Sequence, residues 1–167
     1  MRVKILIVCL CVFSFNAMAQ KVTSTTWEDE KKNLPPNEYN ELNKQVKGTY
    51  SFTSLYQDGS NENVLRESST HIETLFMEGY FSSDVIKNNP KLLKEAADYT
   101  VMVINLSKVS KINNVVFDLS IFKKLKYIVL SSFKSSDVLQ VQNEFIKLNQ
   151  GKGQEIFVVS NIMEQNR

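Results

Sequence analysis

Apolar residues recur at a fixed spacing along the second half of the chain. In each unit an apolar residue is followed by a second one three positions later and by a third after two more. The units are Ile72, Leu75 and Met77; Val101, Ile104 and Leu106; Leu125, Ile128 and Leu130; and, more weakly, Gly153, Ile156 and Val158. These runs predict β-strands at 73–79, 101–107, 126–132 and 155–160, and the long intervals between them predict parallel pairing through right-handed crossovers.

Helical spacing appears between and before these strands. After Ser135, one helical face carries Val138, Val141 and Phe145, which predicts an amphipathic helix. A shorter amphipathic helix is predicted at 37–47. The expected fold class is therefore α/β: a small parallel β-sheet of about four strands with crossover helices, leucine-rich-repeat-like in its spacing, and an N-terminal cap made of a helix and a strand.

The first nineteen residues have the layout of a secretory signal peptide. Arg2 and Lys4 precede an apolar run, and Ala17 and Ala19 form a small-residue cleavage site. The apolar run, 5–15, is shorter than the roughly 20 residues that a transmembrane helix needs. The sequence predicts cleavage after Ala19, export to the periplasm or the extracellular space, and no stable membrane anchor afterwards.

A single domain is expected after the signal peptide (1–19). Residues 20–36 are polar and include a Pro-Pro pair, so they are predicted to form an arm. The remainder, 37–167, is predicted to be one α/β domain. Within it, 37–70 form the N-terminal cap and 71–161 carry the repeat-like strands.

The segment 121–132, Ile-Phe-Lys-Lys-Leu-Lys-Tyr-Ile-Val-Leu-Ser-Ser, resembles the helix-to-strand passage of bacterial leucine-rich-repeat proteins. First positions of consecutive units are 29, 24 and 28 residues apart (72 to 101, 101 to 125 and 125 to 153), within the family's period of about 20 to 29. The resemblance covers 72–161. It implies a concave sheet from which the residues flanking the buried ones point outward. These are Thr74, Phe76, Glu78, Val103, Asn105, Ser107, Tyr127, Val129, Ser131, Glu155, Phe157 and Val159.

A second resemblance begins in the same region of the chain. The stretch 103–113, Val-Ile-Asn-Leu-Ser-Lys-Val-Ser-Lys-Ile-Asn, is similar to the central strand and turn of a STAS domain, the family of anti-sigma-factor antagonists. Where that family has Asp-Ser-Ser-Gly with a phosphorylated serine, residues 113–116 are Asn-Asn-Val-Val. The resemblance therefore implies a STAS-like fold without the phosphorylatable serine motif.

Charge and composition narrow the classes of function. Removing Arg2 and Lys4 with the signal lowers the 20 basic residues to 18, equal to the 18 acidic ones. A neutral mature chain argues against a nucleic-acid partner. Both cysteines, Cys9 and Cys11, leave with the signal, so core packing and not disulfides must stabilise the exported protein.

Few residues are suited to catalysis or metal binding. The single histidine, His71, is two residues from Glu73 on a predicted strand, and two ligands are too few for a metal site. A solvated histidine at the end of a strand is the simpler interpretation. The mature chain lacks Cys-His nucleophile pairs and a Gly-x-Ser-x-Gly elbow. We therefore expect no cofactor, no metal and no catalytic residues.

The outward strand positions are unusually apolar, which indicates either a covered sheet or a face with a partner. The first hypothesis is an exported, non-catalytic module that binds a protein or peptide through a face around Phe76, Asn105, Tyr127, Val129 and Phe157. The second is a secreted or periplasmic hydrolase that uses scattered carboxylates.

The third hypothesis is a structural domain with a STAS-like fold. In it the N-terminal helix fills the apolar face through Tyr39, Leu42 and Val46. The lone Trp27 in the polar arm is interpreted as an anchor onto the domain rather than as a ligand-stacking ring.

Overall fold

The computed structural model describes residues 22–67, 71–107, 109, 112, 115–148 and 155–163. They form a seven-stranded, mostly parallel sheet with helices on both faces. The strands are β1 (Val22–Thr26), β2 (Phe52–Leu55), β3 (Asn61–Val64), β4 (Thr74–Met77), β5 (Val101–Asn105), β6 (Tyr127–Ser132) and β7 (Ile156–Ile162). The helices are α1 (Trp27–Asn33), α2 (Pro36–Val46), α3 (Asp84–Lys87), α4 (Pro90–Ala96) and α5 (Ser135–Leu148), with a 3₁₀ turn at Leu119–Ile121. The signal peptide expected at 1–19 lies outside the described residues.

The sheet order is β1-β7-β6-β5-β4-β2-β3. The strands β4, β5, β6 and β7 are parallel neighbours, as the apolar spacing predicts, so the α/β fold class is confirmed. The number of strands differs from the expected four. Strands β1 and β2 extend the parallel sheet on either side, and β3 closes one edge antiparallel to β2.

The polar stretch 20–36 is not an arm from Val22 onward, and this corrects the sequence prediction. The run Val22–Thr26 forms the edge strand β1, parallel to β7. Its threonines are β-branched and favour extended backbone, and an edge strand tolerates their polar side chains. Thr26 then caps α1 by accepting a hydrogen bond from the Asp29 backbone N–H at 3.1 Å, and acidic residues fill the first helical turn as the helix dipole favours.

The first face of the sheet carries the main core. In every strand from β4 to β7 alternate residues point into it, including Leu75, Ile104, Ile128 and Ile156, none of which has exposed surface. Helices α3, α4 and α5 and the segment 115–122 cover this face. One position of the repeated unit departs from expectation: Val101 belongs to the opposite face. It already lies within β5, three residues before Ile104, and side chains alternate between the faces along a strand.

The second face is covered by the N-terminal helices. Leu42 of α2 is 3% exposed and packs with Val103 and Val129, while Trp27 and Leu34 pack around them. The cap predicted at 37–70 therefore divides: α2 lies over the face of the sheet, and β2 and β3 continue its edge. Among the described residues, no helix combines the length and hydropathy of a membrane span.

The two sets of helices follow from one handedness rule. From β4 to β7, each successive strand lies one place closer to β1 in the sheet, and the connections cross the first face. The chain passes from β1 to β2 in the opposite direction across the sheet, and α1 and α2 in this connection lie on the second face. Reversing both direction and face preserves the hand of a crossover. The connection after β6 consequently runs over the first face, and the connection after β1 runs over the second face.

A partly exposed turn on the first face gives a pH-dependent prediction. Asp118 Oδ1 accepts bonds from the Ser120 N–H (2.9 Å) and Oγ–H (2.6 Å), and Oδ2 lies 2.8 Å from Lys87 Nζ. The bond from Lys87, followed by that from Ser120, holds the pKa of Asp118 below its usual range. A depressed folded-state pKa contributes stability that is complete above the unfolded pKa of about 4 and is lost as the pH falls further.

We therefore expect Asp118→Asn to lower the free energy of unfolding at pH 7 and to lower it less at pH 3. Urea denaturation at the two pH values checks this. Asp137→Asn, on the half-buried first turn of α5, provides a control for the loss of an aspartate elsewhere. A deficit for Asp118→Asn that is equal at both pH values would contradict the assignment.

Candidate functional site

The carboxyl ends of the parallel strands border a cleft of about 490 Å³. Open α/β sheets generally bind ligands outside the carboxyl ends of their strands, at a point where the connections pass to opposite faces of the sheet. The position of the cleft agrees with this rule. Phe133, directly after β6, and Trp27, directly after β1, stand on the two diverging paths, and both line the cleft. Its volume lies within the range of small-ligand sites, about 300 to 1,000 Å³.

A row of polar side chains crosses the cleft, one from each central strand. Asn105 of β5 pairs in register with Ser131 of β6, and Ser131 pairs with Asn161 of β7. Glu78 follows β4 beside Asn105, because the last registered pair of these strands is Met77 with Ile104. We call Glu78, Asn105, Ser131 and Asn161 the carboxyl-edge row. The row exists because a polar residue stands at the same height at or near the carboxyl end of each of these strands, or directly after it in the case of Glu78.

Hydrogen bonds fix the orientation of the side chains in this row. Asn105 Oδ1 accepts from the Ser107 N–H (3.1 Å) and Oγ–H (2.5 Å), and this leaves Asn105 Nδ2 to donate to Glu78 Oε2 at 3.1 Å. At the other end, Asn161 Nδ2 donates to Ser131 Oγ at 3.3 Å. Side chains that are held before a ligand arrives lose less conformational entropy on binding it.

One wall of the cleft is apolar. The end of α2 contributes Val46, and β4 and β5 contribute Phe76 and Val103 directly beneath the row. Trp27 closes this side, with its ring 5.5 Å from that of Tyr39. Trp27 is thus an anchor that packs on the second face, as the sequence interpretation expects, and it also borders the cleft. The combination of an apolar wall and a polar row is typical of a ligand site.

Charge is distributed unevenly along the cleft. Glu78 lies at the β4 end, and Tyr56 beyond it donates to Glu62 Oε1 at 3.0 Å. The bond to Glu62, with the charges of Glu62 and Glu78, raises the pKa of Tyr56. Lys47, at the end of α2, is the basic residue that lines the cleft within the described part of the chain.

The five residues of the predicted binding face are divided by the structure. Phe76 and Asn105 line the carboxyl-edge cleft. Val129 has no exposed surface and Tyr127 has 6%, because α1 and α2 cover the middle of the face. Burial raises the pKa of Tyr127 to about 12. Phe157 packs against Tyr127, with ring centroids 5.7 Å apart. The middle of the face is thus covered, and the predicted residues that remain at an accessible cleft are Phe76 and Asn105 at its carboxyl edge.

His71 and Glu73 are at the opposite, amino edge of the sheet, where they line a separate pocket. They are not brought near the carboxyl-edge row. In the ranges that the structure describes, no three His, Cys, Asp or Glu side chains converge as a metal site would require.

Several residues of the cleft are absent from the face that the sequence predicts. Asn43, Val46 and Lys47 reach it through the tertiary placement of α2, and Phe133 and Met163 through the loops after β6 and β7. The sequence signal that points to the row is a polar residue at, near or directly after the carboxyl end of each apolar strand. No protein-family model, curated protein or solved structure matches the chain. The likeness to leucine-rich-repeat and STAS proteins therefore stays a prediction from sequence.

Proposed function

We propose that the protein is an exported, non-catalytic binding module that holds a short extended peptide, or an extended segment of a protein, in the carboxyl-edge cleft. The observation that carries the proposal is the carboxyl-edge row beside an apolar wall: three register-aligned polar side chains, with Glu78 hydrogen-bonded to Asn105. Export rests on the N-terminal charged, apolar and small-residue pattern of 1–19.

The dimensions of the row suit an extended chain. Neighbouring strands lie about 4.8 Å apart, so the three intervals from Glu78 to Asn161 span about 14 Å. Four extended residues cover about the same length. Each asparagine Nδ2 group has two N–H donors, of which Asn105 gives one to Glu78 and Asn161 gives one to Ser131. The wall of Val46, Phe76 and Val103 suits an apolar side chain.

Binding of defined peptides tests the proposal. The protein from Gln20 onward, the expected mature chain, is applied to an array of immobilised, N-acetylated hexapeptides. We expect peptides with a central aliphatic or aromatic residue to be selected. We expect Asn105→Ala to weaken the selected peptides about tenfold, the effect of about one lost hydrogen bond together with unpaired buried partners.

Asn143→Ala is the matched control, because Asn143 is an exposed asparagine on α5, away from the cleft. It should bind like the wild type. Circular dichroism verifies that both variants are folded. The absence of any selected peptide, or an Asn105→Ala affinity equal to that of Asn143→Ala, would refute the proposed function.

A further inference from the structure

The outer edge of β1 is open. Strand β1 lies at one end of the sheet, and within the described ranges no strand pairs with its outer side. Natural edge strands usually carry a charge, a proline or a bulge that discourages pairing with another chain. The other edge strand, β3, has the exposed Glu62. Strand β1 is uncharged, contains no proline and keeps a continuous register with β7, so its edge lacks this protection.

The backbone of Ser24 is directed towards this open edge. The Thr25 carbonyl accepts a hydrogen bond from Ser160 Oγ of β7 at 3.3 Å, so it faces into the sheet. Successive carbonyls of a strand point to opposite sides, and the N–H and C=O of one residue point to the same side. The N–H and C=O of Ser24 therefore face away from β7.

The sequence of β1 is complementary to itself. Around Ser24 it reads the same in both directions, Thr-Ser-Thr. An antiparallel second copy of β1, with Ser24 opposite Ser24 on a two-fold axis, would exchange two backbone hydrogen bonds at this pair. Thr23 would then lie opposite Thr25 of the second copy, and such β-branched cross-strand pairs are favourable. The two-fold arrangement thus fills the edge without bringing like charges together.

An uncharged flank of α5 lies above the same edge. Gln142 Nε2 donates to the Val158 carbonyl of β7 at 3.4 Å, and Val158 is in register with Ser24. Leu139 is three residues before Gln142 and Ile146 is four after it, so both share this flank. Leu139 is 56% exposed. The same two-fold axis would set Leu139 near Ile146 of the second copy, because the two α5 helices would be antiparallel.

Helix α1 supplies complementary charges on the second face. It lies against β1 and β7, with Glu28 and Asp29 in its first turn and Lys31 and Lys32 in its last. The two-fold axis would make two copies of α1 antiparallel, so the acidic end of each would face the basic end of the other. Opposite charges at the rim of an interface favour association in the correct register.

We infer that the protein forms a symmetric dimer in which β1 pairs antiparallel with β1 of a second copy and α5 packs beside α5. The two seven-stranded sheets would become one continuous sheet. A second copy fits this edge better than an unrelated peptide, because β1, α1 and α5 are each self-complementary about one axis. The interface is small, so we expect a dissociation constant of about 10 to 100 µM. The inference does not depend on peptide binding in the carboxyl-edge cleft.

Sedimentation velocity of the protein from Gln20 onward tests the inference at concentrations from about 2 to about 500 µM, which bracket the expected dissociation constant. We expect Ser24→Pro to weaken dimerisation about tenfold, because proline removes the outward N–H, which pairing with β7 does not use. Ser24→Ala keeps this N–H and is the matched control. It should dimerise like the wild type.

Leu139→Asp separates association from folding. We expect it to weaken the dimer about tenfold through loss of apolar contact between the helices. Its urea midpoint at about 2 µM, where the chain is monomeric, should equal that of the wild type. Leu93→Asp is the matched control, because Leu93 is 40% exposed on α4, away from β1. It should leave dimerisation unchanged.

A single cysteine locates the two-fold axis. From Gln20 onward the chain has no cysteine, so Ser24→Cys carries one thiol, which would meet its own copy on the axis. Opposite Cα atoms of an antiparallel pair lie within the range that a disulfide spans. We expect mild oxidation to link Ser24→Cys into a covalent dimer much faster than Ser60→Cys, whose thiol would lie in an exposed turn.

Three outcomes would overturn the inference. The first is a chain that remains monomeric at about 500 µM, well above the expected dissociation constant. The second is a dimer that Ser24→Pro and Leu139→Asp both leave intact. The third is a monomeric chain in which a selected hexapeptide shifts the amide signals of residues 22–26, because a peptide strand and not a second copy would then occupy the edge.

Discussion

Phe145→Ala is expected to lower the free energy of unfolding by about 4 kcal/mol, the usual cost of truncating a fully buried phenylalanine. Phe145 of α5 has no exposed surface. Its ring lies 5.3 Å from that of Phe117 and 5.7 Å from that of Tyr80, so it joins α5 to two other parts of the first face. The described residues contain no disulfide, so core packing of this kind must supply much of the stability. The free energy of unfolding of most domains is about 5 to 15 kcal/mol.

Urea denaturation of the protein from Gln20 onward measures the loss. An unchanged m-value would show that unfolding still exposes the same amount of surface. Phe133→Ala is the matched control. Phe133 is 43% exposed, so its truncation should cost about 1 kcal/mol or less. A loss below about 1.5 kcal/mol for Phe145→Ala would mean that α5 does not pack on the sheet through this ring.

Leu42→Asp is expected to have the second largest effect, a loss of more than about 3 kcal/mol, because it places an unpaired charge in an apolar interface. Leu42 is 3% exposed and lies between α2 and the second face. We expect α2 to separate from the sheet first. Amide hydrogen exchange should therefore accelerate in α2 and at the ends of β5 before global unfolding.

Leu139→Asp supplies the control, since Leu139 is 56% exposed on α5 and should tolerate aspartate within about 0.5 kcal/mol. Equal stability of the two variants would contradict the covered second face. It would restore the open binding surface through Tyr127 and Val129 that the sequence first suggests.

The central strands could be predicted because their local signal is strong. Each of β4 to β7 is an apolar run with alternate residues facing a large core. The intervals between the runs have the length that crossover connections between parallel strands need. The helix α2 was predictable for a similar reason, from Leu42 at helical spacing with its neighbours. That this helix covers the apolar face of the sheet was one of the alternatives that the sequence left open, and the packing of Leu42 and Val46 on that face bears it out. The sequence could not choose between the alternatives, because an apolar helical stripe does not specify which surface it covers.

The strand β1 escaped prediction because its stability is not local. Val22–Thr26 is polar apart from Val22, and it becomes a strand by pairing with β7, more than 130 residues later in the chain. The same separation explains the candidate site. Asn105, Ser131 and Asn161 look unrelated along the chain, and only the register of three strands aligns them.

The proposed peptide binding depends most on the carboxyl-edge row. Chemical-shift mapping with a selected hexapeptide tests the role of this row most directly. At saturation, ¹H–¹⁵N spectra should show the largest changes at residues 43–47, 76–78, 105–107, 131–133 and 161–163, which border the cleft. Shifts confined to the exposed side of α5, or to the separate pocket that His71 and Glu73 line, would contradict the assignment of the carboxyl-edge cleft as the peptide site.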